Sequence, residues 1–194
     1  MYDYIKGIIE EINPAELILE CGGIGYKLEI SLNSYQKFRE QKETRAYIYQ
    51  HLREDEETLY GFFDKNERWI FTHLISVSGI GPNTARMMLS SLTPEELCTA
   101  IDTGDVNRIK SVKGIGLKTA QKVIIELKDK IAKGSGANID LGNSMNDKTS
   151  SEATSALVSL GFSKNPVEKI VSKILAENPD SSLEEVIKKA LKLL

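Results

Sequence analysis

Apolar and polar positions along the first 63 residues trade places over short stretches. Tyr4-Ile5-Lys6-Gly7-Ile8-Ile9 is rich in β-formers, and Leu17-Ile18-Leu19 follows. Tyr26-Lys27-Leu28-Glu29-Ile30 alternates, Ala46-Tyr47-Ile48-Tyr49 does so less strictly, and Leu59-Tyr60-Gly61-Phe62-Phe63 closes the set. Asn13-Pro14 and Gly22-Gly23 mark turns between them. Five short strands in roughly 60 residues suit a small closed barrel of the OB type; a five-stranded sandwich fits the same pattern. Arg53-Glu54-Asp55-Glu56-Glu57, between the last two strands, reads as a charged hairpin tip.

From Asn66 the period becomes helical. Trp69, Ile70, His73, Leu74 and Val77 recur at i, i+3, i+4 spacing, until Ser78-Gly79-Ile80-Gly81-Pro82 breaks the helix. Pro82 suits the first turn of the next helix, where its missing N–H costs nothing, and Thr84 to Leu89 continue that helix. Thr93-Pro94-Glu95-Glu96 is a capping box that opens a third. Asp105 opens a fourth, Val106 to Val112, and Gly114-Ile115-Gly116 separates it from a fifth running from Leu117 to about Ile131.

Residues 134–150 are rich in Gly, Ser and Asn, the composition of a flexible linker. Three short helices then fit the tail, Ser151–Leu160, Pro166–Glu177 and Ser182–Leu193, with Asn165-Pro166 and Ser181-Ser182 as start signals. The organisation is therefore α+β and multidomain. A barrel spans residues 1–63, a helical domain 64–133, a linker 134–150, and a minimal three-helix bundle 151–194, near the lower size limit for independent folding.

Composition narrows the function classes. The chain of 194 residues is 41 % hydrophobic and 27 % charged, ordinary for a soluble globular protein. No apolar run is long enough to span a bilayer, and the first residues lack the features of a signal peptide. The two cysteines, Cys21 and Cys98, build no disulfide framework and read as buried small hydrophobes, so a cytoplasmic setting is expected. His51 and His73 have no ligand partner at useful spacing, so no metal site is expected, and Trp69 reads as core. The net charge of −3 conceals an asymmetry: residues 1–63 carry −5, residues 64–133 carry +3, and residues 134–194 carry −1. Within the middle segment, residues 108–133 hold 8 basic and 2 acidic side chains. Such a local positive field attracts an anionic partner.

One internal repeat carries the candidate chemistry. Val77-Ser78-Gly79-Ile80-Gly81-Pro82-Asn83-Thr84-Ala85 aligns with Val112-Lys113-Gly114-Ile115-Gly116-Leu117-Lys118-Thr119-Ala120 at an offset of 35 residues. Each copy lies between two predicted helices and resembles the helix-hairpin-helix DNA-binding motif, here a tandem pair. Two glycines permit a tight turn and close approach of a ligand to the backbone. The turn feeds a helix N-terminus, whose unpaired N–H groups and dipole favour an anion such as a phosphate. The isoleucine between the glycines packs the turn on its helices. The candidate DNA-binding residues are Gly79, Ile80, Gly81, Asn83, Thr84 and Arg86 in the first copy, and Lys113, Gly114, Ile115, Gly116, Lys118, Thr119 and Lys122 in the second. Asn83 stands where the second copy has Lys118, leaving Arg86 as the nearest cation of the first. A nucleotide-binding P-loop is excluded, because Ser111 and Leu117 occupy the positions where its glycines must precede Lys118-Thr119.

The whole chain resembles the RuvA family, bacterial proteins that bind Holliday junctions in branch migration. Gly22-Gly23-Ile24-Gly25-Tyr26, Arg53-Glu54-Asp55 before Leu59-Tyr60-Gly61-Phe62, and Gly114 to Ala120 with Glu126-Leu127-Lys128-Asp129 carry the likeness. The resemblance implies an OB-type barrel, a tandem helix-hairpin-helix domain, a flexible linker and a small UBA-like three-helix domain. It implies a homotetramer holding an open, square-planar four-way junction, with one or two tetramers per junction and an acidic pin formed by Glu54 and Asp55. It further implies that the C-terminal domain recruits the hexameric ATPase RuvB, and that the resolvase RuvC can share the complex. The stretch containing Leu157, Leu160 and Phe162, with the last helix, would form the motor-binding surface, although in so small a bundle these side chains would mostly be core. No catalytic residue and no cofactor are implied, since ATP hydrolysis belongs to the motor.

Two other classes compete. A helix-hairpin-helix repair enzyme, a nuclease, glycosylase or lyase, needs a catalytic Lys or Asp beside the motif or a carboxylate cluster for metal, and Glu54 to Glu57 are the only dense carboxylates. A scaffold whose hairpin turns merely pack helices would bind no DNA even at low salt.

Overall fold

The computed structural model describes residues 1–134, 145–178 and 181–194. Residues 1–137 and 138–194 form two compact units. The linker expected over 134–150 falls for the most part outside the described residues, while Met145 to Ser150 are helical.

The first unit begins with β1 (Tyr4–Ile12), β2 (Glu16–Cys21), β3 (Ile24–Ile30), α1 (Leu32–Phe38), β4 (Glu43–Leu52) and β5 (Glu57–Phe62). The strands close into a barrel in the order β1-β2-β3-β5-β4, which decides between barrel and sandwich. Every pairing is antiparallel except β3 with β5, where Glu29 lies opposite Tyr60 and Ile30 opposite Gly61. A Cβ on Gly61 would meet Leu28 Cδ1 at 3.0 Å, so this crossing is packed against a bare backbone. The short α1 departs from the expected all-strand pattern, because seven residues are too few for helical periodicity to show. Ser31 caps it by accepting from the Ser34 amide at 3.0 Å. Its Phe38 is fully buried with Ile5, Leu17, Leu19, Leu28, Ile30, Ala46 and Ile48 in the barrel interior.

The helical part of the same unit comprises α2 (Lys65–Ile75), α3 (Pro82–Ser91), α4 (Pro94–Thr103), α5 (Val106–Lys110) and α6 (Leu117–Gly134). Side-chain caps set three of these starts. Asp64 caps α2, the Thr93–Glu96 capping box opens α4, and Asp105 caps α5. Their core extends into the barrel: Phe71 of α2 lies 4.9 Å from Phe62, 5.1 Å from Tyr60 and 5.3 Å from Tyr49, between ring centroids. Polar groups lock the same seam. Arg68 pairs with Asp3 at 2.8 Å and donates to the Ile48 carbonyl at 3.2 Å. Asn33 donates to the carbonyl oxygens of Leu89 and Leu92. Fully buried Glu67 accepts from the hydroxyls of Ser31 and Ser34, and Ser34 Oγ in turn accepts from the Phe63 amide at 2.9 Å. Burial pushes the Glu67 carboxyl above the usual range, and the two hydroxyls oppose that rise.

The second unit holds α7 (Met145–Ser159), α8 (Lys164–Glu177) and α9 (Leu183–Ala190) around Ala153, Leu157, Val167, Val171, Ile174, Leu175, Val186 and Ala190. Ser163, not Asn165, is the N-cap of α8, which places Pro166 at the third helical position, where no intrahelical N–H bond is lost. Ser182 and Glu185 form a second capping box, at α9. The last helix ends at Ala190, short of Leu193, and leaves Leu191, Leu193 and Leu194 exposed. Among the described residues no helix is long and apolar enough to cross a membrane.

Candidate nucleic-acid interface

The two repeat copies adopt the same turn. The first joins α2 to α3 and the second joins α5 to α6. Gly79 and Gly114 take left-handed backbone angles, φ +96° and +89°, which only glycine adopts without strain. In each copy the isoleucine amide donates to the valine carbonyl, Ile80 to Val77 at 3.0 Å and Ile115 to Val112 at 3.1 Å. The Ala85 amide donates to the Gly81 carbonyl at 3.0 Å, and the Ala120 amide to the Gly116 carbonyl at 2.9 Å, so each second glycine opens its helix. Val77, Ile80, Val112 and Ile115 are all buried and pin both turns to the core.

That burial agrees with the expected packing of each isoleucine on its helices. Ile80 and Ile115 belong to the candidate DNA-binding set only through their main chain, because their side chains are occupied inside. The neighbouring main chain is open. A Cβ on Gly81 or on Gly116 would touch nothing within 4 Å, so free space lies where a ligand would approach. No side chain caps α3, and the Asn83 and Thr84 amides have no partner within the helix. At α6 the corresponding amides are those of Lys118 and Thr119, and Leu117 adds a third where the first copy has Pro82. Thr84 and Thr119 are half-buried at the third helical position of each copy.

The two copies differ in charge. Lys113, Lys118 and Lys122 are exposed, and none forms an ion pair among the described residues. The first copy has no counterpart on its own helices. Asn83 is exposed and accepts from Tyr60 Oη at 3.4 Å. Arg86, expected as the phosphate cation, is turned to the barrel instead: Nη1 donates to the Ala15 carbonyl at 3.0 Å, and Nη2 stands 3.2 Å from Glu29 Oε2 as an ion pair without hydrogen-bond alignment. Its side chain is 23 % exposed, because the barrel needs a cation there to neutralise a half-buried carboxylate.

The acidic tip is tighter than the sequence suggested. Glu57 belongs to β5 opposite Leu52, and the Arg53 amide donates to the Glu56 carbonyl at 2.8 Å. Glu54 and Asp55 are thus the two residues of the tip. Glu57 accepts from Gln50 Nε2 at 2.7 Å and Glu56 from Thr58 Oγ1 at 3.1 Å, while Glu54 and Asp55 are exposed without side-chain partners among the described residues.

In the second unit Leu157 is fully buried, so it serves the bundle core and not a partner surface. Phe162 is half-buried against the same core, and Leu160 is 63 % exposed. Cys21 is exposed at the end of β2, contrary to expectation, because the β2–β3 turn leaves the strand end in solvent; Cys98 is half-buried. Trp69 is also half-buried, its ring tilted by 40° against His73 with centroids 4.2 Å apart. One further pairing has a signal in the spacing. His51 and Arg53 are two apart at a strand end, which puts their side chains on one face, and Arg53 Nε donates to His51 Nε2 at 3.1 Å.

Comparison with known proteins agrees with this architecture. Residues 1–61 match the model of the RuvA N terminal domain, residues 71–129 that of the SAM-like helix-hairpin-helix tandem, and residues 148–194 that of the RuvA C-terminal domain. The chain is 50 % identical over 201 residues to the Holliday junction branch migration complex subunit RuvA of Bacteroides fragilis, with both chains covered in full. The proteins of the same name from Bacteroides thetaiotaomicron and Christiangramia forsetii are 50 % and 47 % identical, again over the full length of both chains.

Proposed function

The chain belongs to the RuvA family, and on that premise we propose that it binds four-way junction DNA by structure, not sequence, as a subunit of a branch migration complex in recombination and repair. It is a DNA-binding subunit and not an enzyme; the ATPase of the complex is RuvB. The observation that carries the reading is the repeated turn, in which two helix N-termini stand behind bare glycines with room for phosphate oxygens. Phosphate contacts fix position and orientation without reading bases, which suits a protein that must act on any sequence.

Finer roles extend the proposal. Lys113, Lys118 and Lys122 add the counter-charge at the second hairpin, with the main chain at Gly79, Gly81, Gly114 and Gly116 as the close contact. Glu54 and Asp55 repel phosphates from the crossover centre and disfavour a continuous duplex there. Four copies assemble around the junction, one such ring or two facing rings enclose it, and the resolvase RuvC shares the platform. The C-terminal unit holds the RuvB hexamer, with Leu160 and the half-buried Phe162 as its contact residues, on a tether that keeps the motor near the junction while it turns. The complex works in the cytoplasm.

The test is a gel-shift competition in Mg²⁺-free buffer at moderate salt. Labelled four-way junction is challenged with linear duplex of matched length. Strong preference for the junction supports the reading; equal affinity for both makes the hairpins generic duplex grips and overturns it. The nuclease reading gains no support: among the described residues no group of three or more His, Cys, Asp or Glu is placed to hold a metal ion.

A further inference from the structure

The first hairpin presents a deficit. An open helix N-terminus faces solvent at Gly81, yet Asn83 replaces the lysine of the second copy and Arg86 is engaged by Glu29 and the Ala15 carbonyl. Directly beside it lies a cleft of about 120 Å³ whose walls come from both the β4–β5 hairpin and the first turn, Arg53 and His51 on one side, Gly81 and Asn83 on the other, with Tyr60 between. We infer that Arg53, contributed by the barrel and held by His51, is the phosphate-binding cation of the first hairpin. The inference rests on the reading that the hairpins grip duplex phosphates.

Three observations carry it. Arg53 is exposed and forms no ion pair among the described residues, although Glu54, Asp55 and Glu56 follow it in the chain. Its Nε is fixed by donation to His51 Nε2 at 3.1 Å, and the imidazole is itself stacked on Tyr49, with ring centroids 6.3 Å apart. Holding Nε leaves both terminal guanidinium nitrogens for an anion and removes part of the entropy an exposed arginine would lose on binding. The charges of the cleft require such a cation. Glu29 is paired with Arg86, whereas Glu56 accepts only from the Thr58 hydroxyl, and among the residues lining the cleft Arg53 is the one arginine or lysine. Without Arg53 the cleft would present net negative charge beside Gly81 and repel the phosphate that the helix N-terminus attracts.

This arrangement gives the two hairpins different dependences. The second carries its cations on its own helix. The first takes its cation from the base of the acidic tip, so a change at the tip bears on the first grip as well. Arg53 thus has two neighbours with opposite tasks, carboxylates that push DNA away from the tip and a turn that draws it in.

The experiment measures salt-dependent affinity of the full-length protein for a four-way junction and for linear duplex of matched length, comparing wild type, Arg53→Gln, Asn83→Lys, the double variant and His51→Phe. Loss of one phosphate contact per subunit on duplex DNA lowers the log–log salt slope by about 0.9. Arg53→Gln is expected to weaken binding several-fold and to lower the slope by that amount per subunit. Asn83→Lys in the same chain is expected to restore both, because it rebuilds the cation on the helix as in the second copy. His51→Phe keeps the stack on Tyr49 but cannot accept from Nε, and is expected to weaken binding in the same direction by less. An unchanged slope in Arg53→Gln overturns the inference. So does weakened binding that Asn83→Lys fails to rescue, which would assign Arg53 to the tip alone. Lys118→Ala is run alongside. If it lowers the slope while Arg53→Gln does not, only this inference fails; if wild type shows no junction preference, the underlying reading fails.

Discussion

Arg86 and Glu29 face each other at 3.2 Å across the seam between barrel and helices, and this pair turns a residue that looks like a DNA contact into a structural clamp. Arg86→Gln leaves the Glu29 carboxylate, 27 % exposed, without its counter-charge and costs about 2 kcal/mol of stability. Chemical denaturation of the first unit should show that loss. The salt slope of junction binding should stay at the wild-type value, whereas a phosphate contact would lower it.

The glycines of the repeat divide into two kinds. At Gly79 and Gly114, φ of +96° and +89° makes Ala a backbone strain of about 1 kcal/mol or more, so Gly79→Ala and Gly114→Ala should lower the melting temperature. Gly81 takes an ordinary φ of −87°, and like Gly116 it has no neighbour where a Cβ would stand. Gly81→Ala and Gly116→Ala should fold as well as wild type and bind junction more weakly, because the added methyl occupies the space of the ligand. Equal loss of stability in all four variants would contradict this division.

At the second hairpin, Lys118→Ala and Lys122→Ala should each weaken binding alike on every sequence and lower the salt slope by about 0.9 per subunit. Titrations from low to moderate salt read this directly.

Glu67 predicts a pH dependence of stability. Its carboxyl is raised by burial, so the folded state holds the proton more tightly than the unfolded chain does. Between the ordinary carboxylate range and the raised value the folded state binds more protons, and stability therefore falls as pH rises through that window and is level beyond it. Glu67→Gln removes this ionisation. Denaturation across mildly acidic to neutral pH should show a declining component in wild type that the variant lacks; parallel curves would mean that Glu67 titrates normally.

In the C-terminal unit, Leu157→Asp puts a charge into a fully buried position and should unfold the bundle, seen as lost helicity. Leu160→Asp, at a side chain 63 % exposed, should leave the bundle intact while reducing RuvB binding. Both should leave the affinity of the first unit for junction DNA near wild type.

Much of this was legible in the chain. Capping at Thr93–Glu96 and Asp105 depends on neighbouring residues alone, and both appear where the sequence puts them. The repeat was legible because a left-handed turn demands glycine and a core anchor demands Val and Ile at fixed offsets. The features that were not legible depend on partners distant in sequence. Arg86 meets Glu29 and Ala15, Glu67 meets Ser31 and Ser34, and Asn33 reaches Leu89 and Leu92; no local pattern announces such meetings. Leu157 and Leu160 are alike in sequence, and only the packing of α8 and α9 separates core from surface. The α1 helix is too short for its period to emerge, although Phe38 and Tyr35 both pack on the barrel core.

The parallel pairing of β3 with β5 also bears on how the chain is made. Until residues 57–62 have left the ribosome, β3, β2, β1 and β4 can form only an open sheet with two unsatisfied edges. Phe62 and Tyr60, which anchor the helices through Phe71, arrive with the same strand. One segment of six residues therefore both removes the sticky edges and seeds the core on which α2 to α6 assemble. Closure by this strand removes the open edges through which an incomplete sheet would pair with other chains.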